Sequence, residues 1–388
     1  MYPKNFCYEI TRFPRSVFFY APSFAQVSLR ENPDPRQEID QLIQKYQYSK
    51  ALVLLDQLDD SLSVDVLQRK GSCYLQMGNY DDAIRQYETV LKVDSTDVKA
   101  LYALGQLYAR NKQFMDSYAC YETLIANDEL NSIYYKQYGI VAVQAHAPAL
   151  AFANFLRAVE LNPGDIEAYT VLGEMLLDVE EYRMADSLLS IALETNSSPQ
   201  LVFLLAKAQM GEHKYKDAIK TTEQLMVAGD TIPGYARVLG ISYFRLDEFE
   251  EALSWLKYML ENDYKADWVY FYAGICYQRM DNLDLAIVYL NKAVEEGISK
   301  NIGDYYLQLA TCYEAAKDFK KAIKFYKVAY EYSKKDILLY HLAVNYDVYY
   351  KDKTQAIAYF RKYLDSDDTV KLAREYSRYK LNELEFYR

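Results

Sequence analysis

The chain has 388 residues, a formal net charge of −11 and 51% hydrophobic residues, with 41 tyrosines against 13 glycines and 9 prolines. That balance excludes a chain disordered by composition, disfavours nucleic acid and anionic lipid surfaces as partners of the whole chain, and favours helix because breakers are scarce. The five cysteines form no CxxC pair and no apolar run reaches the roughly 18 residues of a membrane-spanning helix, so a disulfide framework, a zinc site and stable membrane insertion are all poor readings.

Residues 1–35 form a leader with no helical period. Lys4, Arg12 and Arg15 precede a short apolar run, Val17 to Ala25, and Ser23 and Ala25 set small residues before a cleavage point. The leader reads as a secretory signal segment on an exported, periplasmic protein. Glu9 and Pro22 support the alternative, a disordered extension on a cytoplasmic one. Pro33 and Pro35 mark the linker into the fold, since both disfavour helix there.

Residues 36–63 read as two amphipathic helices with Ala51 at a small position. From there the sequence repeats. Gly71, Gly105, Gly139 and Gly173 stand 34 apart, and Ala206, Gly240, Gly274, Ala310 and Ala343 follow at steps of 33, 34, 34, 36 and 33. A second small column lies twelve residues on, at Ala83, Ser117, Ala151, Ala185, Ala218, Ala252, Ala286 and Ala322, with Ala356 displaced to thirteen. A third column, four further along, includes Tyr87, Tyr121, Phe155, Leu189, Leu256, Leu290, Tyr326 and Phe360. Tyrosine recurs three places after the first column, at Tyr74, Tyr108, Tyr243, Tyr277, Tyr313 and Tyr346. Small residues let helices approach to about 8–10 Å, and spacings of three and four keep these side chains on one helical face. Each unit is therefore a helix, a tight turn such as residues 77–82, and a second antiparallel helix.

These columns resemble the tetratricopeptide repeat (TPR), a 34-residue helix–turn–helix unit. The usual leading Trp is replaced by Leu67, Leu101, Tyr135 or Tyr270, and the closing Pro survives as Pro163. The units run 64–97, 98–131, 132–165, 166–198, 199–232, 233–266, 267–302, 303–335 and 336–366, after a degenerate first copy at 36–63 and before a capping helix at 367–388. The resemblance implies an all-α fold: an α-solenoid, a right-handed superhelix of antiparallel helix pairs. It also implies a concave surface lined by the first helices, where a protein or peptide docks.

No residue is nominated as catalytic, cofactor-binding or metal-binding. His146, His213 and His341 lie in different repeats with no metal-ligand spacing, and there is no phosphate loop or nucleophile motif. Cys73, Cys276 and Cys312 sit two places after the small column, where each serves as a small core residue. The basic stretch with Lys320, Lys324 and Lys327 reads as a solvated outer face. Within the resemblance, the concave residues are Tyr102, Gln106, Arg110, Lys136, Phe203, Lys207, Arg237, Arg245, Phe271, Arg279 and Tyr340, with Gln68, Ser72 and Leu75 in the first full copy. Aromatic rings with arginines have the composition of an interaction surface. Lys136 is followed four residues on by Ile140 rather than Asn, so the family's clamp for a terminal carboxylate is absent. The expected function is a non-catalytic scaffold or adaptor for an unidentified protein or peptide. Two alternatives are an exported envelope-assembly or chaperone-like factor and a regulatory partner of an enzyme in trans; self-association through a terminal repeat is left open.

Overall fold

The structure, a computed structural model, describes residues 35–58, 60, 62–227, 233–297 and 301–386. The leader and its candidate cleavage point lie outside the described residues. Among those described there are twenty-one α-helices and no strand.

The chain divides into two compact units, one ending at Leu107 and the other starting at Tyr108. The first holds α1 (Pro35–Gln44), α2 (Tyr48–Asp56), α3 (Val64–Gln76), α4 (Tyr80–Val93) and most of α5 (Val98–Arg110). Its helices α1 to α4 pack each on the next, around Ile39, Ala51, Leu55, Val66 and Cys73.

The second unit continues with α6 (Phe114–Asn127), α7 (Ser132–Gln144), α8 (Pro148–Leu161), α9 (Ile166–Asp178) and α10 (Tyr182–Thr195). Next come α11 (Pro199–Gly211), α12 (Tyr215–Val227), α13 (Pro233–Arg245), α14 (Phe249–Glu261), α15 (Asp267–Arg279) and α16 (Leu283–Glu296). It closes with α17 (Ile302–Ala315), α18 (Phe319–Ser333), α19 (Ile337–Tyr349), α20 (Thr354–Leu364) and α21 (Lys371–Phe386). From α6 onward each helix packs on the one after it, so helix pairs stack in chain order as in an α-solenoid.

The columns are the packing. Every member of the second column, from Ala83 to Ala356, is 0% exposed. A Cβ added at Gly71 would lie 2.8 Å from the Tyr87 ring, one at Gly139 would lie 3.0 Å from Phe155, and one at Gly274 would lie 2.7 Å from Leu290. Each of these glycines therefore faces the third-column residue sixteen positions later, across the helix pair.

The turn between paired helices has a rule of its own. Seven residues after the small column, Gly78, Lys112, His146, Glu180, His213, Asp247, Asp281 and Lys317 all have positive φ, between 56° and 78°. The following amide donates back across the turn: Asn79 N–H to the Tyr74 carbonyl, Glu181 N–H to Leu176 and Asp318 N–H to Tyr313, each at 2.9 Å. This is a Schellman closure, and the residue that completes it also starts the next helix. The last copy departs. Tyr350, at the equivalent place, is extended (φ −100°, ψ 140°), and α20 begins only at Thr354. That longer turn accounts for Ala356 arriving one residue late.

Candidate functional site

The nominated first-helix residues fall into several local settings. Tyr102, Gln106 and Arg110 share one face of α5; Tyr102 is half-buried and the other two are exposed. Arg110, Arg245 and Arg279 each end a first helix, where a cation complements the carbonyl end of the helix dipole.

Lys136 is committed to the fold. Its Nζ lies 2.9 Å from Asp165 and 3.2 Å from Glu167. Partial burial opposes its charge, but hydrogen bonds to the two carboxylates outweigh that and raise its pKa. Asp165 also caps α9, accepting from Ala168 N–H at 3.1 Å. Lys136 thus ties α7 to the start of α9. Gln68 and Ser72 are likewise engaged internally: Gln68 Nε2 donates to Asp97 at 2.7 Å, and the Ser72 hydroxyl lies 3.0 Å from that of Tyr87.

Tyr340 stands apart from the other nominated residues. It packs near Tyr363 and Tyr376 at ring separations of 5.7 and 5.9 Å, in an open cavity of about 710 Å³ between α19 and α21.

Phe203, Lys207, Arg237 and Phe271 form two clusters on successive first helices. Phe203 on α11 stacks edge-on against Tyr235 at 5.0 Å, with Lys207 Nζ 5.7 Å from its ring. One step along, Arg237 and Phe271 line a cavity of about 460 Å³ together with Trp268, Tyr272, Asp304 and Tyr305. Its walls are braced. The Arg237 guanidinium lies 5.2 Å from the Trp268 ring, Phe271 lies 4.6 Å from Tyr305, and Trp268 meets Tyr272 edge-on at 6.2 Å. The Tyr305 hydroxyl donates to Asp267 at 3.0 Å, and Asp304 is paired with Lys335 at 2.6 Å. Both carboxylates near the cavity are therefore answered from within the protein. Arg237 and Lys207 make no ion pair among the described residues.

Trp268, Tyr272 and Asp304 were not among the residues nominated from sequence. Trp268 and Asp304 lie six residues before the small column, and Trp268 is one turn before Phe271 on the same face. Extending the concave pattern by that turn would have found both. Tyr272 belongs to no column and carries no such signal.

The other reactive residue types are structural where described. Cys73, Cys120, Cys276 and Cys312 are buried and free. Burial pushes the thiols of Cys276 and Cys312 up to about 12 and that of Cys120 up to about 11, so they stay protonated. His146 and His213 occupy the left-handed turn position. His341 stacks on Tyr326 at 5.1 Å, and its Nδ1 is 3.9 Å from Glu314, which accepts a hydrogen bond from the Tyr326 hydroxyl. Among the described residues no cluster of His, Cys, Asp or Glu could hold a metal ion, and no helix is long and apolar enough to cross a membrane. The basic segment on α18 folds back on aromatic rings: Lys321 lies 4.9 Å from the Tyr313 ring, and Lys327 lies 5.3 Å from that of Tyr346.

Comparison with known proteins finds the same kind of repeat. A TPR repeat model matches residues 71–112, and tetratricopeptide repeat models match 268–296 and 303–336. The BBSome complex member BBS4 of Bos taurus is 23% identical over 278 residues, covering 68% of this chain and 51% of the relative, so the chain spans about half the length of that curated protein. Among solved structures, a tetratricopeptide repeat protein from Parabacteroides merdae ATCC 43184 superposes with a TM-score of 0.42 at 14% identity, over 64% of this chain and 98% of that one. The APC/C hetero-tetramer Cut9-Hcn1 gives a TM-score of 0.45 at 14% identity, over 89% of this chain and 82% of that one. YrrB, described as a TPR protein with an unusual peptide-binding site, gives a TM-score of 0.42 at 22% identity, over 48% of this chain and 96% of that one. Together with the small and aromatic columns that carry the same phase between the matched segments, the three repeat-model matches identify the chain as a tetratricopeptide-repeat protein.

Proposed function

We propose that this chain is a non-catalytic interaction scaffold that holds a segment of another protein against the first helices of its second unit. Tetratricopeptide repeats bind proteins or peptides, and one observation supports this choice of surface. The braced aromatic cavity between α13, α15 and α17 gathers Arg237, Trp268 and Phe271 on the helices that the family uses for docking. Its volume, about 460 Å³, lies within the range of ligand pockets and suits one or two side chains rather than a folded domain. The rings are held by one another, so little side-chain entropy remains to be lost when a partner arrives.

Affinity capture from the native host, with the wild-type chain and with Phe271→Leu as baits, tests the reading. The expected result is a partner retained by the first and lost by the second, with both baits melting alike. Capture that ignores substitutions along the first helices would refute it.

A further inference from the structure

The cavity that supports the scaffold reading also has a chemical polarity, and the following inference rests on that reading. Four of its walls are aromatic: Trp268, Phe271, Tyr272 and Tyr305. Its charged groups are unequal. On the α17 side, Asp304 is neutralised by Lys335 at 2.6 Å, and Asp267 accepts the Tyr305 hydroxyl at 3.0 Å. On the α11 and α13 side, Lys207 and Arg237 have aromatic neighbours and make no ion pair among the described residues.

Arg237 is the informative member. Its guanidinium carbon lies 5.2 Å from the centre of the Trp268 ring. A stacked guanidinium spends its face on the ring and keeps its edge of N–H donors, and that edge matches the two oxygens of a carboxylate. Stacking also restrains the long side chain, which lowers the entropy lost on forming the pair. The unanswered charge in and beside this cavity is therefore positive, next to an aromatic slot.

We propose that the cavity recognises a peptide in which a large apolar side chain, seated among Trp268, Phe271 and Tyr272, is followed closely by a carboxylate bonded to Arg237. That carboxylate belongs to an acidic side chain within the peptide, since the first helices lack the Lys–Asn pair that would clamp a free chain end. The peptide lies with its carboxylate toward α13, where Arg237 presents its donors. A cationic segment has no such placement, because both cavity-side carboxylates are already satisfied.

The chain has two tryptophans, Trp255 and Trp268. Trp255→Phe leaves Trp268 as the sole indole, a reporter inside the proposed site. The probes are four synthetic hexapeptides: an internal Phe-Glu pair with both ends blocked, the same peptide with Gln or with Lys in place of Glu, and one ending in Phe with a free carboxylate. The blocked Phe-Glu peptide should change Trp268 emission saturably and bind more tightly than the free-end peptide. The blocked Gln peptide should bind about tenfold more weakly than the Phe-Glu peptide, the loss expected for a charge-assisted hydrogen bond.

Arg237→Gln should erase that difference and Arg237→Lys should restore part of it, with both variants melting as the parent does. No saturable response below about 1 mM, equal binding of the Glu and Gln peptides, or tighter binding of the Lys peptide or of the free-end peptide would overturn the proposal. If the peptides fail while Phe203→Leu still weakens a captured partner, this inference falls and the scaffold reading stands.

Discussion

Seven places after the small column, a glutamate, two lysines, two aspartates and two histidines adopt the backbone of Gly78. Glu180 and Lys317 both have φ of 60°, a conformation that costs an L-residue roughly 1–2 kcal/mol and costs glycine nothing sterically. The Schellman hydrogen bonds and the immediate start of the next helix hold them there. Both side chains are exposed, so little packing is lost on truncation. Glu180→Gly should therefore stabilise the chain by about 0.5–1 kcal/mol, after allowing for glycine's greater freedom when unfolded. Gly78→Ala should do the opposite by about 1 kcal/mol. Urea midpoints would measure both, and a loss of stability in Glu180→Gly would contradict the strain account. His341 makes a separate point at this scale. Burial lowers its pKa below the ordinary 6.5, with Glu314 partly opposing. The unfolded chain then binds more protons than the folded one between 6.5 and that lowered value, so this residue's contribution is constant above 6.5 and is lost as pH falls through that window. Between about pH 7 and about pH 5, His341→Gln should lose less stability than the wild type; parallel curves would contradict it.

At the scale of the helix pair, the first column is not uniform in how tightly it is packed. A Cβ at Gly274 would come within 2.7 Å of Leu290 Cγ and 3.2 Å of its backbone nitrogen, whereas at Gly240 it meets nothing closer than 3.5 Å. Backbone cannot move aside as a side-chain tip can. Gly274→Ala should destabilise by about 1–3 kcal/mol through overpacking. Gly240→Ala should stabilise by about 0.5–1 kcal/mol, because alanine costs less than glycine inside a helix. Calorimetric melting of the two variants separates the outcomes, and equal shifts of the same sign would contradict the packing assignment. This level of structure was legible in sequence because each pair solves the same steric problem, so small and large residues recur at fixed distances. The left-handed turn was not legible: only Gly78 among its eight residues announces it, and the others are held there by hydrogen bonding on both sides.

At the scale of the molecule, repetition explains both what the sequence disclosed and what it withheld. The helix pairs were readable because they repeat. The cavity is built where the copies differ: Arg237, Trp268 and Asp304 are unlike their equivalents in neighbouring units, so no recurring residue type marks them. Lys136 occupies the same column as Arg237, yet it bridges two repeats through Asp165 and Glu167. Position in the repeat thus names a face, while the neighbours decide whether a side chain on it is free to meet a partner. The most direct measurement is the dissociation constant of the purified chain for its captured partner, by titration calorimetry, in wild type, Arg237→Gln, Phe271→Leu and Lys220→Gln on α12. The two first-helix variants should weaken binding at least about tenfold, with Lys220→Gln within about twofold of wild type. The same affinity in all four would contradict a partner site on the first-helix face.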